Sequence, residues 1–308
     1  MLRRLFAVLA LAAVAGSLVV AAAGAGAPAS PTPPVPAFPA TVATPNGPLT
    51  IRTQPRRIVS LSPTATESLF AIGAGQQVIA VDDQSDYPKT APRTKLSGFT
   101  PNAEAIAGTK PDLVVLSFDA SHIVDALHKL RVPVLLQPAA KTLAGTYAQI
   151  RQLGAVTGQA AAAQALIRRM KARIAALVAA APRLRSLSVY HELSPDFYSA
   201  TSSTFIGRVY ALFGLRNIAD AADATGSGYP QLSAEYVLSA DPDLIVLADT
   251  VCCGQTPASV AARPGWSQLK AVSSRAIVRI DDSLASRWGP RVVDFARAVS
   301  RALRTVGS

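Results

Sequence analysis

Cysteine is scarce: 308 residues carry two, and they are neighbours, Cys252 and Cys253. That excludes a zinc ribbon, an iron–sulfur site built on four thiolates and a disulfide framework. Histidine is nearly as rare. His122, His128 and His191 follow no metal-ligand spacing, so no bare-metal site is expected. The sequence also lacks GxSxG, HExxH, GxGxxG and phosphate-loop motifs. A hydrolase, a zincin, a dinucleotide enzyme or an NTPase would be missing its chemical parts, so the chain reads as a non-enzyme without a cofactor.

Acidic residues are outnumbered, 19 against 30 Lys and Arg, for a formal charge of +11. The basic residues are dispersed and no stacking aromatics lie between them, so nucleic acid is not an expected partner. The surplus reads instead as solvated helix faces drawn to an anionic envelope. Apolar residues make up 50% of the chain, and its length suits two lobes that each bury a core.

The first 27 residues have the parts of an export leader. Met1 to Arg4 is basic, Leu5 to Ala23 is apolar apart from Gly16 and Ser17, and Ala23-Gly24-Ala25 has the form of a cleavage site. The chain is therefore expected in the periplasm or cell envelope. The apolar run approaches the roughly 20 residues that span a bilayer. Residues 1–27 are thus open to two readings, a cleaved signal peptide or a retained membrane anchor. No Cys follows the run, so a lipid cannot be attached there. Pro28 to Pro48 holds eight prolines and no charge, which predicts a Pro-rich linker over residues 28–50.

Beyond it, short β-branched runs alternate with helical patterns. Strands are predicted at 57–61, 78–82, 113–117, 132–137, 187–191, 244–248 and 276–280, which means parallel sheets with helices on their faces. The expected fold is α/β. An N-terminal lobe covers 51–143 and a C-terminal lobe 183–308, and a helical segment at 144–182 joins them through one long helix. Within that segment, Leu166, Met170, Ile174 and Leu177 recur at helical spacing and Pro182 ends the pattern.

The strongest internal signal is a repeat. Ala103-Glu104, Ile106 and Pro111-Asp112-Leu113-Val114-Val115-Leu116 return as Ala234-Glu235, Val237 and Pro242-Asp243-Leu244-Ile245-Val246-Leu247, at a constant offset of 131 residues. Each copy follows an aromatic, Phe99 or Tyr229. Ligands of open α/β sheets bind beyond the carboxyl ends of the strands, so two such lobes face to face make a cleft.

These residues resemble a known family, the helical-backbone (class III) binding proteins of ABC importers, and within it the vitamin B12 branch. The carrying segments are Arg57-Ile58-Val59-Ser60-Leu61-Ser62-Pro63 with Thr66-Glu67, Ser85-Asp86-Tyr87-Pro88, Asn102 to Leu116, and Tyr229-Pro230-Gln231 to Glu235. The resemblance implies an exported protein that captures a corrinoid between its lobes and hands it to an ABC permease. A ferric siderophore or heme is the alternative cargo. It also implies permease docking through Glu104 and Glu235, although each Glu would equally favour the first turn of its helix. The family's ligand-contacting aromatics fall on Tyr87, Phe99, Phe118, Phe197 or Tyr198, and Tyr229. This chain has Phe or Tyr where the B12 binder has Trp. A later ligand loop falls on Asp282 and Trp288, which could instead be a helix cap and a core residue. His191 is a candidate axial ligand to the metal of a heme or corrin. Cys252 and Cys253 either close a vicinal disulfide beside the cleft or remain two thiols.

Overall fold

The computed structural model describes residues 38–182 and 186–306; the expected leader and the linker as far as residue 37 lie outside the described residues. The rest of the linker is not an extended spacer. It contains a hairpin in which β1 (Ala40–Thr44) pairs antiparallel with β2 (Gly47–Ile51). Pro45 and Asn46 occupy its turn, where proline's lost N–H costs nothing, and Val42 and Ile51 turn inward and are buried.

The first lobe runs β3 (Ile58–Leu61), α1 (Pro63–Ala71), β4 (Val78–Val81), α2 (Ala103–Gly108), β5 (Leu113–Leu116), α3 (Ile123–Lys129) and β6 (Val134–Leu136). Its four parallel strands lie in the order β4-β3-β5-β6. Every residue of β3, β5 and β6 is buried, as apolar runs covered by helices on both faces should be. Alternate residues divide between two cores. Ile58, Leu113 and Val115 face α1, while Val59, Val114 and Leu116 join Ile106 and Leu127 on the other side.

Two helices follow. α4 (Leu143–Thr157) packs on α1 and β1 and so belongs to the first lobe, although it lies inside the segment expected to connect the lobes. Gly158, at φ 74, turns the chain into α5 (Ala160–Ala179). α5 alone makes the connection. It packs on α4 at one side and on the last helix of the chain at the other, and its 20 residues span about 30 Å.

The second lobe runs β7 (Ser188–Glu192), α6 (Phe205–Leu212), β8 (Arg216–Asn217), α7 (Ala234–Ala240), β9 (Leu244–Leu247), α8 (Pro257–Ala261), α9 (Lys270–Ser273), β10 (Ile277–Arg279), α10 (Asp282–Ser286) and α11 (Val292–Val306). Its sheet order, β8-β7-β9-β10, repeats the connectivity of the first lobe. Registers repeat too, with Ile58 opposite Leu113 in one sheet and Val189 opposite Leu244 in the other. The repeat's acid does the same work twice. Asp112 accepts from the backbone N–H groups of Arg56 and Arg57 at 2.8 and 2.9 Å, and Asp243 accepts from that of Ser188 at 2.8 Å. In both cases a carboxylate pins the start of the neighbouring strand. The caps correspond as well: Asn102 accepts from Ala105 N–H at 2.8 Å, and Ser233 from Tyr236 N–H at 3.1 Å.

Candidate functional site

Parallel strands in one sheet all end on the same edge, and the loops leaving that edge carry most of the expected site residues. In the first lobe the loop after β4 carries Tyr87 and then Phe99, and the loop after β5 starts with Phe118. A buried hydroxyl chain anchors the first of these loops. Thr66 Oγ1 lies 2.9 Å from Ser60 Oγ and 3.0 Å from Ser85 Oγ, which joins β3, α1 and the loop two residues before Tyr87. Gly98 has no room for a side chain, since a Cβ there would stand 2.9 Å from both Leu61 O and Asp82 Oδ2.

Five of the expected aromatics remain in solvent. Tyr87, Phe99, Phe118, Tyr198 and Tyr229 are each between 42% and 67% exposed, and all five sit on loops at the carboxyl edges of the two sheets. Phe99 and Phe118 form a pair with ring centroids 5.9 Å apart. On the second lobe, Tyr198 bridges to Gln231, next but one to Tyr229. Tyr229 and Trp288 also line a pocket of ≈ 400 Å³ with Ala140 and Lys141 of the first lobe and Leu193 and Phe205 of the second. Trp288 is half-buried and donates from Nε1 to Gln149 Oε1 at 3.0 Å. A larger depression of ≈ 620 Å³ lies among α4, α5 and α6, but it contains none of the expected residues.

Three expected ligand contacts are engaged within the second lobe. His191 is fully buried in β7, with Nδ1 2.6 Å from the Tyr210 hydroxyl and the Phe295 ring centroid at 6.3 Å. Burial pushes its pKa down to about 3, so it is a neutral core residue that cannot reach a metal in the cleft. Phe197 turns inward at φ 64, stacks on Trp266 at 5.8 Å and joins the core, which leaves its neighbour Tyr198 outside. Asp282 accepts from the N–H groups of Val251 and Cys252 at 3.0 and 2.7 Å, while Asp281 caps α10 by accepting from Leu284 N–H at 3.1 Å. The loop that Asp282 holds contains the bonded pair Cys252–Cys253 and Val251, which is 70% exposed.

Two charge clusters had little signal in the sequence. Glu67, on α1, accepts from Arg287 at 3.0 Å and Arg291 at 2.6 Å; Arg287 also donates to Asp86 at 2.7 Å, and Arg291 lies 4.4 Å over the Tyr87 ring. In the second lobe Arg263 gives both terminal nitrogens to Glu192 at 2.6 Å each and stacks 4.6 Å over Trp266. Asp249 is buried beside that pair. Burial first, and then the Glu192 charge, push its carboxyl well above the ordinary range. Glu67 lies in a segment that carries the family resemblance, but its contacts reach Arg287 and Arg291, 220 and 224 positions further along the chain.

Glu104 and Glu235 are exposed at the second positions of α2 and α7. A helix that leads into a parallel strand starts at the sheet's carboxyl edge, so both carboxylates stand on the cleft side of their lobes. Asn102 and Ser233 already supply the helix caps. Hydrogen bonds from its own backbone and from Ser233 hold the Glu235 carboxyl below its ordinary value.

Residues 58–284 match the periplasmic binding protein family. A cobalamin-binding protein of Halobacterium salinarum is 32% identical over 258 residues, 81% of this chain and 69% of that one. An ABC transporter substrate-binding lipoprotein of Bacillus subtilis is 30% identical over 270 residues, 84% of this chain and 83% of its own. Among solved structures, a periplasmic heme-binding protein from Roseiflexus sp. RS-1 superposes with a TM-score of 0.71 at 25% identity, covering 82% of this chain and all of the other.

Proposed function

We propose that this chain, which belongs to the periplasmic binding protein family, is exported, captures a corrinoid in the cleft between its lobes and delivers it to the permease of an ABC importer. The observation that carries the reading is the set of five solvent-facing aromatics at the carboxyl edges of both sheets. Folding leaves that apolar area uncovered, and a large flat ligand covers it with favourable stacking geometry. The cobalamin-binding relative from Halobacterium salinarum supports the choice of ligand.

Delivery rests on the repeat. Glu104 and Glu235 occupy corresponding places in two lobes of the same connectivity, which suits pairing with arginines on a two-fold permease. α5 holds the lobes at a nearly fixed spacing because it packs on helices of both. The ligand is then released when a partner pulls on the two lobes together.

The test is titration of the purified full-length protein with cyanocobalamin, heme and a ferric tris-catecholate, followed by intrinsic fluorescence and heat. Micromolar or tighter binding of cyanocobalamin is expected. Binding of an iron chelate with none of cyanocobalamin would overturn the corrinoid assignment, heme favouring the class of the Roseiflexus neighbour and the ferric tris-catecholate a siderophore.

A further inference from the structure

The chain carries +11, yet the arginines beside the cleft are cancelled. Glu67 Oε1 accepts from both Arg287 and Arg291, and Asp86 Oδ1 accepts a second contact from Arg287, so two guanidiniums meet two carboxylates. Arg263 is matched one to one by Glu192. Among the described residues lining the inter-lobe pocket, Lys141 is the one cation. The cancelled group adjoins an expected ligand contact, because Arg291 stands 4.4 Å over Tyr87 and Asp86 precedes that residue.

We propose that Asp86 and Glu67 select the ligand by charge: by neutralising Arg287 and Arg291 they make the cleft accept a macrocycle with an uncharged, amide-bearing periphery and reject one bearing carboxylates. The proposal deepens the corrinoid reading and takes its ligand from it. Arginine is the side chain best shaped to hold a carboxylate in two hydrogen bonds, and two unpaired arginines next to Tyr87 would form a strong anion subsite. A ligand carboxylate would have to displace Glu67, whose side chain is 1% exposed, or approach Asp86, whose side chain is 43% exposed and carries the same charge. Burial alone would raise the Asp86 carboxyl, but the hydrogen bond and charge of Arg287 outweigh it and hold it below the ordinary value. Asp86 is therefore ionised at neutral pH.

The experiment compares the affinity of the full-length protein for cyanocobalamin with its affinity for cyanocobalamin in which one peripheral amide has been hydrolysed to a carboxylate. Shape is kept and one charge is added. The native protein is expected to prefer the amide form by about fivefold at low ionic strength, a preference that shrinks as salt shortens the screening length. Asp86→Asn should bring the ratio close to one, and Lys141→Glu, a second exposed position, should widen it. Equal affinity of the native protein for both forms, or a ratio unmoved by Asp86→Asn, would overturn charge selection. If the native protein binds neither corrinoid, the ligand assignment falls by itself. Charge selection is then read with heme, which carries two propionates: tighter binding by Asp86→Asn upholds it, and unchanged binding sinks it.

Discussion

Glu67 Oε1 lies 2.6 Å from Arg291 Nη2, so a buried carboxylate on the first helix of one lobe is tied to the residue that leads into the last helix of the other. Arg287 reaches the same oxygen at 3.0 Å and adds the backbone carbonyl of Gln84 at 2.9 Å. The loop carrying Tyr87 is thereby clamped between the lobes. With α5 spanning both lobes and this clasp joining them directly, the cleft has two independent restraints on its width.

Because the three side chains of the clasp are between 1% and 18% exposed, removing one partner strands buried charge. Glu67→Ala should lower the unfolding free energy by about 3 to 5 kcal/mol, read from urea denaturation. Loss under about 1 kcal/mol would mean that water screens the pair as it does a surface bridge.

Phe197 and Tyr198 are adjacent but do opposite things. Tyr198→Ala should weaken cyanocobalamin binding about tenfold with little change in melting temperature, since the ring is already in solvent. Phe197→Ala should leave affinity nearly intact and reduce stability by about 2 to 3 kcal/mol, because it empties a place beside Trp266. Parallel titrations and thermal melts separate the two effects, and an exchange of the two outcomes would refute the assignment.

Simultaneous Glu104→Ala and Glu235→Ala substitution should abolish ligand uptake by cells or by vesicles carrying the cognate importer, with binding by the isolated protein preserved. Both side chains are exposed, so the fold has no need of them. Weaker ligand affinity in the double variant would assign them to the cleft rather than to the permease.

His191 shapes the acid limb of stability. Its pKa is about 3 in the folded protein, below the ordinary 6.5, so between those values the unfolded chain binds the extra proton. Its contribution is complete above pH 6.5 and is lost as the pH falls towards 3, with a slope of up to about 1.4 kcal/mol per pH unit. Chemical denaturation at pH 7 and pH 5 should show that fall in the native protein and a flatter profile in His191→Leu. Equal profiles would place the imidazole's burial in doubt.

Much of the fold is legible from the chain because its signals are local. Apolar runs such as Leu113–Leu116 and Leu244–Leu247 are buried on both faces, and a parallel strand covered by helices can be written in few other ways. The repeat adds register, since an offset of 131 carries Ile58 and Leu113 onto Val189 and Leu244. The hairpin was hidden by composition. Prolines at 39, 45 and 48 suggest an extended spacer, but two sit at the turn or the entrance and Val42 finds a partner surface in α4, which lies far along the sequence.

The sequence by itself determined two α/β lobes of the same connectivity and the helix that joins them, because periodicity, caps and Pro-Asp turns act over a few residues. Only the tertiary structure decided which side chains on the loops at the strand ends stay in solvent and which pack on the core. Whether Phe197 or Tyr198 points outward depends on one backbone turn at φ 64, and the position of His191 depends on which face of β7 meets α6 and α11. The cancellation of Arg287 and Arg291 by Glu67 is of the same kind. It joins charges more than 200 residues apart, and electrostatic energy depends on distance in space and not on separation along the chain.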